Sequence, residues 1–360
     1  MRCAIVHYWL LKMRGGEKVV EALCRLLPEA DIFTLFYDPE RVSPLIRSRR
    51  VTASFLNPLR RQYRSLLPLM PLAIEHFDLR GYDLIVSSES GPAKGVMTSS
   101  GSRHICYCHS PMRYLWDLYP DYLHDWTRSR IKRAVMAPLA SGLRVWDYST
   151  AARVDDFVAN SRNVKQRIWK AYRRDSEVVY PPVAVEDFFN RSSEDYYLVV
   201  SELVAYKRIE DAVRCFGRTG RKLKIVGQGP EFKRLRKIAL PNIEFCGAVP
   251  AEQLRELYAR CRALLMPGEE DFGIAAVEAL ASGKPVIALG RGGVLESVPR
   301  SDPLAGLFFP EPGASHLEAA ITSFEKMERD ISPQALQSYS TRFSERQFAA
   351  NMRAIVDRAP

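Results

Sequence analysis

Leu264-Leu-Met-Pro-Gly-Glu-Glu-Asp-Phe-Gly-Ile-Ala-Ala-Val-Glu-Ala-Leu-Ala-Ser-Gly-Lys-Pro-Val-Ile-Ala-Leu289 is the stretch that decides the fold. Leu264 to Met266 is a short apolar run that suits a buried strand. Three acids, Glu269, Glu270 and Asp271, then form a polar loop. Helix formers follow from about Phe272 to Ile274 onward, and Gly283 stops them before a second apolar run, Val286 to Leu289. Strand, acidic loop, helix, glycine stop and strand make one unit of a parallel α/β sheet.

The alternation extends in both directions. Tyr197 to Ser201, Leu223 to Val226 and Ile243 to Phe245 read as strands of the same series. Ahead of them, Cys3 to His7, Asp31 to Leu35, Leu84 to Ser87, His104 to Cys108 and Phe157 to Asn160 form an earlier series. The break between the two falls at Tyr180-Pro181-Pro182. The expected architecture is therefore two Rossmann-like domains, 1–181 and 182–335. A tail, 336–360, carries Leu336, Tyr339, Phe343, Phe348, Met352 and Ile355 at near-helical spacing and should pack back toward the first domain. Ligands of open parallel sheets bind beyond the carboxyl ends of the strands, so two such sheets facing each other predict a central cleft.

The chain has 360 residues, 52 of them basic and 42 acidic, a net charge of +10. Residues 1–180 hold 28 basic and 18 acidic side chains, and the remainder hold 24 of each, so the whole excess sits in the first half. Residues 41–74 contain seven arginines and no acid, interleaved with Phe55, Leu56, Leu59, Tyr63, Leu66, Leu67 and Met70. A second acid-free stretch runs from Trp126 to Trp146. Cations beside apolar groups suit an anionic bilayer surface; a solvated arginine-rich face over ordinary core residues is the alternative. Nucleic acid is disfavoured because no recognition motif accompanies the charge. No apolar run approaches the ~20 residues of a membrane span, and the strand-like start, Met1-Arg-Cys-Ala-Ile-Val, does not resemble a secretion leader. Seven cysteines without a Cys-x-x-Cys pair point to reduced thiols and a cytoplasmic setting.

Lys12-Met-Arg-Gly-Gly-Glu17 follows the first strand and precedes a helix expected to begin near Lys18. Gly15 and Gly16 there would let backbone N–H groups approach an anion at a helix N-terminus, or would simply serve a tight turn. A dinucleotide fingerprint fails twice, because Phe232 and Leu295 stand where the third glycine belongs, so a nicotinamide dehydrogenase is disfavoured. In the deciding stretch, N–H groups at Phe272, Gly273 and Ile274 open the helix and favour a phosphate. Glu270 on the loop and Glu278 eight positions later suit the vicinal hydroxyls of a ribose or hexose. Alternatively both are solvated acids.

With these motifs together, the chain resembles glycosyltransferase family four, retaining enzymes of GT-B fold that use nucleotide-sugar donors. The resemblance rests on Glu270 and Glu278, Gly15-Gly16-Glu17, Cys108-His109-Ser-Pro-Met-Arg-Tyr-Leu-Trp-Asp117, Ala159-Asn-Ser161, Tyr180-Pro-Pro-Val183, Tyr206-Lys-Arg208 and Val226-Gly-Gln-Gly-Pro230. Residues 66–94 and the His-Ser-Pro-Met-Arg-Tyr segment look most like bacterial mannosyltransferases of surface-polysaccharide synthesis. The resemblance implies that Glu270 contacts the donor hexose, Glu278 the nucleotide ribose, and Lys207 the diphosphate, with His109 facing the donor sugar. It further implies transfer of a hexose, mannose from GDP-mannose, to a polyprenyl-diphosphate-linked saccharide on the inner face of the membrane. Arg14, Arg60, Arg61, Arg64 and Arg113 are the candidates for the acceptor or the membrane.

In the family an arginine usually stands five positions before the lysine, where this chain has Glu202. Arg208 is the expected replacement, its planar fork supplying the second cation. No Asp-x-Asp pair occurs, so neither metal nor cofactor is expected. His104, Cys106 and Cys108 share one strand face, but ligands two apart on a straight strand surround a tetrahedral ion poorly. Front-face attack, with the leaving phosphate taking the acceptor proton, requires no protein nucleophile; Glu270 acting covalently is the lesser mechanism. Rival functions are a sugar-nucleotide epimerase or hydrolase of the same fold, and a non-catalytic partner subunit, for which Glu202 is the one hint.

Overall fold

The computed structural model describes residues 1–120 and 130–358. The chain divides into two compact units, Met1–Tyr180 with the segment from Phe348 onward, and Pro181–Gln347. The acid-free stretch from Trp126 therefore begins outside the described residues.

The first unit is a seven-stranded parallel sheet of β1 (Cys3–His7), β2 (Asp31–Thr34), β3 (Val51–Ala53), β4 (Leu84–Glu89), β5 (Arg103–Cys108), β6 (Asp156–Ala159) and β7 (Glu177–Val178), in the order β3-β2-β1-β4-β5-β6-β7. Successive residues feed opposite faces: Ile5, Ile32, Val86 and Tyr107 enter one core, Val6, Phe33 and Ile85 the other. Burial on both faces is why these strands read as continuous apolar runs. Each such side chain contributes roughly 1.5–3 kcal/mol relative to exposure.

The second unit is a six-stranded parallel sheet of β8 (Tyr197–Val200), β9 (Leu223–Val226), β10 (Ile243–Gly247), β11 (Leu264–Met266), β12 (Val286–Leu289) and β13 (Gly306–Phe309), ordered β10-β9-β8-β11-β12-β13. Leu265, Ile287 and Leu289 pack on one face, and Leu264, Met266 and Ala288 on the other. These two parallel sheets with flanking helices are the GT-B architecture.

Three strands escape the sequence reading, β3, β7 and β13. All are edge strands of two to four residues that are partly exposed, so they carry no buried run to detect. The tail expected as one segment from residue 336 instead divides. Helix Pro333–Ser340 buries Leu336 in the second unit, whereas helix Glu345–Val356 buries Phe348, Met352 and Ile355 in the first. The chain turns extended at Ser344, which ends the first helical run and separates the two. Phe348 meets Tyr107 edge-on at 5.6 Å.

The arginine-rich stretch forms 3-10 turns over Asn57–Leu69, with non-helical backbone at Leu59 and Gln62. Its apolar residues separate into two groups. Leu56 and Met70 are core, with Tyr63, Leu66 and Leu67 packed against them, whereas Phe55, Leu59, Leu69 and Leu72 are exposed. No helix among the described residues is long and apolar enough to cross a membrane.

Candidate active site

In the first unit, β1, β4 and β5 end side by side, with His7 opposite Ser88 and Glu89 opposite Cys108. His109 follows β5; its main-chain N–H donates to Glu89 O at 2.7 Å, and its Nε2 lies 2.8 Å from Ser88 Oγ. Ser88 O in turn lies 3.2 Å from His7 Nδ1. A carbonyl only accepts, so Nδ1 of His7 carries the hydrogen. Burial, reinforced by nearby His109, lowers the His7 pKa from 6.5 to about 3, so this ring is neutral. Sequence reasoning found His109 but missed His7 and Ser88. The signal available for His7 was its place at the carboxyl end of the first strand.

Gly15 and Gly16 are not loop residues. They open helix Gly15–Leu26, three residues before the expected start at Lys18, with Arg14 extended ahead of them. Neither has positive φ. A Cβ on Gly16 would stand 3.0 Å from Tyr8 Oη, 3.5 Å from His7 Cε1 and 3.7 Å from His109 Nε2. Glycine at 16 therefore serves close approach of the helix start to the histidines rather than a turn. Glu17 Oε2 accepts from Arg14 N at 2.9 Å, half of a capping box.

His104 is engaged within the fold, with Nε2 2.8 Å from Ser87 Oγ and Nδ1 3.1 Å from Arg153 O. Among the described residues no group of three or more His, Cys, Asp or Glu is placed to hold a metal ion. The candidate arginines lie on three separate elements. Arg14 precedes the first helix, and Arg60, Arg61 and Arg64 lie on the 3-10 turns. Arg113 lies beyond β5, where its Nε donates to Asp117 Oδ2 at 3.2 Å.

In the second unit, β8 leads into a 3-10 turn, Ala205–Lys207, and β11 into the acidic loop. Lys207 Nζ and Glu270 Oε2 form an ion pair, with side chains 15% and 22% exposed. Burial works against the Lys207 charge, but the Glu270 carboxylate outweighs it and raises the lysine pKa. The Glu270 main chain is fixed by a parallel bridge to Gly292 and by Gly293 N donating to Glu270 O at 2.8 Å. Gly273, at φ 90°, is the left-handed cap that starts helix Ile274–Ala281. Phe272 beside it is buried, its ring edge-on to Phe343 at 5.5 Å and its carbonyl accepting from Ser297 Oγ at 3.1 Å. What Phe272 offers a ligand is therefore main chain alone.

Glu278 is 5% exposed, which excludes the reading of it as a solvated helix residue, and its Oε2 accepts from Tyr258 Oη at 2.9 Å. Arg208, expected beside Lys207 as a second cation, donates from Nε to Asp211 Oδ2 at 2.7 Å and is 43% exposed. Its backbone is left-handed, φ 55°, where it caps helix Ile209–Thr219. Glu202 lies on the turn after β8, its carbonyl accepting from Val204 N at 3.0 Å. The loops that follow β8 and β11 thus bring Lys207 and Glu270 together, Gly273 starts the helix at the end of the second loop, and Glu278 lies further along that helix, bonded to Tyr258.

Two families match the chain. Glycosyltransferase Family 4 matches residues 13–187 and Glycosyl transferases group 1 matches residues 185–343, together spanning nearly the whole sequence. The chain is 38% identical over 100 residues to a GDP-mannose-dependent alpha-mannosyltransferase of Corynebacterium glutamicum, covering 28% of this chain and 24% of that protein. It is 29% identical over 140 residues to the O-antigen chain mannosyltransferase RfbU of Salmonella typhimurium, covering 35% and 40%. The matched stretches span less than half of either relative. The crystal structure of Anabaena HepE in complex with UDP-glucose covers 99% of both chains at a TM-score of 0.71 and 16% identity, a likeness of fold. With both halves matched in order and the two parallel sheets in place, the chain belongs to glycosyltransferase family four.

Proposed function

We propose that the protein is a retaining glycosyltransferase that moves mannose from GDP-mannose to a polyprenyl-diphosphate-linked saccharide in bacterial polysaccharide synthesis. It would work without metal, at the anionic inner face of the membrane. The single observation that carries the reading is the Lys207, Glu270, Gly273 and Glu278 arrangement in one unit. The mannosyltransferases among the relatives support mannose as the sugar.

Breaking the anomeric bond places negative charge on the departing diphosphate and positive charge on the sugar, and both need stabilising. Lys207 supplies a cation, and the N–H groups that open helix Ile274–Ala281 supply the positive end of a helix dipole. Lys207 is held by Glu270, so an arriving diphosphate competes for the ammonium and releases the carboxylate toward hexose hydroxyls. Glu278 accepts from the ribose diol. The leaving phosphate takes the acceptor proton.

Calorimetric titration of GDP-mannose, UDP-glucose and UDP-N-acetylglucosamine without metal, in wild type and Glu278→Ala, tests this. Binding of GDP-mannose that is lost in the variant is the expected result. Dominance of a uridine donor overturns the mannose assignment. Binding of none of the three favours a non-catalytic partner subunit, with Glu202 having disabled the diphosphate site.

A further inference from the structure

We infer that Tyr258 is a positioning residue for the nucleotide, its hydroxyl fixing the Glu278 carboxylate in the orientation that meets the ribose diol. This rests on the donor-site reading of Glu278 proposed above.

Helix Ile274–Ala281 reads Ile-Ala-Ala-Val-Glu-Ala-Leu-Ala, and Glu278 is its one charged residue. A carboxylate buried among apolar neighbours is costly unless it is hydrogen-bonded. Tyr258, on helix Ala251–Arg260, provides that bond: it is fully buried and donates to Glu278 Oε2 at 2.9 Å. Burial first, then the Glu278 charge, push the phenol pKa well above its ordinary value, so the hydroxyl stays a donor at any working pH. The ring cannot drift. It sits in the core with Leu198, Leu264, Ala276 and Leu280, and Phe188 meets it edge-on at 5.8 Å.

Buried tyrosines of this chain satisfy their hydroxyls in two ways: Tyr172 and Tyr197 donate to carboxylates, Asp147 Oδ2 at 2.9 Å and Glu325 Oε1 at 3.0 Å, and others to main-chain carbonyls. Tyr196 donates to Leu257 O and Tyr107 to Val179 O, each at 2.9 Å. Tyr258 belongs to the first kind, and the carboxylate it holds is the one assigned to the ribose. A glutamate has three rotatable bonds, and a rigid donor at one oxygen removes most of that freedom before the ligand arrives, which is preorganisation.

Isothermal titration of GDP and UDP and of their 2′,3′-dideoxy counterparts into wild type, Tyr258→Phe and Glu278→Ala separates positioning from general support. With whichever ribonucleotide binds tighter, Tyr258→Phe is expected to lose about tenfold in affinity, the worth of one hydrogen bond to a charged group. The dideoxy form should change by no more than about twofold, since it has no diol to misalign. Equal losses for both forms, or no loss for either, overturn the inference. A ribo-to-dideoxy preference that collapses in Glu278→Ala but persists in Tyr258→Phe overturns the inference while leaving the donor site standing. A preference unchanged in Glu278→Ala, or no binding to wild type, overturns the donor-site reading and the inference with it. Should Tyr258→Phe not fold, Tyr258→Phe/Glu278→Gln, which removes the buried charge along with the hydroxyl, is compared with Glu278→Gln alone. A smaller preference in the double variant supports positioning, and an equal one refutes it.

Discussion

Gly268 lies so close to the main chain of Lys207 that a Cβ on it would stand 2.7 Å from the lysine's Cα, carbonyl carbon and carbonyl oxygen. Two backbones cannot yield as a side-chain tip can, so Gly268→Ala must push apart the loops that bring Lys207 to Glu270. A stability loss of about 1–3 kcal/mol is expected in denaturant unfolding, the usual cost of overpacking, together with weaker donor binding. Gly142 is the control. It lies exposed in helix Arg130–Thr150 with nothing within 4 Å of a Cβ, so Gly142→Ala should stabilise by about 0.5–1 kcal/mol. A neutral Gly268→Ala would show that the loops are not held by this contact.

In the proposed mechanism Lys207 is the cation that faces the leaving diphosphate. Lys207→Met should lower kcat by roughly 10²–10³, the cost of losing one electrostatic stabiliser of a developing charge. It also leaves Glu270 without its partner, so a modest fall in Tm accompanies the lost activity. Full turnover by Lys207→Met under single-turnover conditions would remove the lysine from the mechanism.

The deciding stretch was legible because each of its parts has a distinct local signature: apolar runs for β11 and β12, acids for the loop, glycine for the stop. What remained hidden depends on contacts between distant segments. Nothing around Tyr258 announces that its hydroxyl reaches a residue twenty positions on, and nothing around His7 shows that Ser88 O fixes its tautomer. Paired glycines at 15 and 16 stand out in the sequence, but the reason for Gly16 is the approach of Tyr8 and His109, which local sequence does not encode. Likewise adjacency in sequence puts Arg208 beside Lys207, whereas Asp211, one helical turn on, holds its guanidinium.

Four buried titratable groups contribute to the pH dependence of stability. Burial lowers His7 and His104 from 6.5 to about 3 and about 4, and raises Glu17 and Glu89 from 4.5 to about 7 and about 8. From pH 3 to 6.5 the unfolded chain binds more protons at the histidines than the folded chain, so stability rises with pH. From pH 4.5 to 8 the folded chain retains carboxyl protons that the unfolded chain has lost, so stability falls as pH rises. The two effects oppose each other between 4.5 and 6.5, and the maximum belongs in that window. Asp147 already pairs with Lys94, which is why Glu89, 3.8 Å from the same ammonium, can stay protonated. Glu89→Gln should flatten the alkaline decline and leave the limb below pH 4.5 unchanged. Chemical denaturation from pH 3.5 to 8.5 measures both, and an unaltered alkaline limb would contradict the assignment to Glu89.

The proposed membrane attachment would use the 3-10 turns that carry Arg60, Arg61 and Arg64, where four large apolar side chains stand exposed on or beside them. Phe55, Leu59, Leu69 and Leu72 are 52%, 50%, 46% and 61% exposed. Each cation near an anionic surface contributes about 1 kcal/mol, so reversing three of them should weaken binding to phosphatidylglycerol vesicles by more than a hundredfold, as about 1.4 kcal/mol is tenfold. Leu59→Ser/Leu72→Ser should weaken it further at high salt, where apolar insertion dominates. The proposed donor site lies in the second unit, so donor binding should be unaffected by either variant. Sedimentation with vesicles and titration with the donor read the two separately. Undiminished sedimentation of the triple reversal would leave these turns as a solvated surface and move the acceptor site elsewhere.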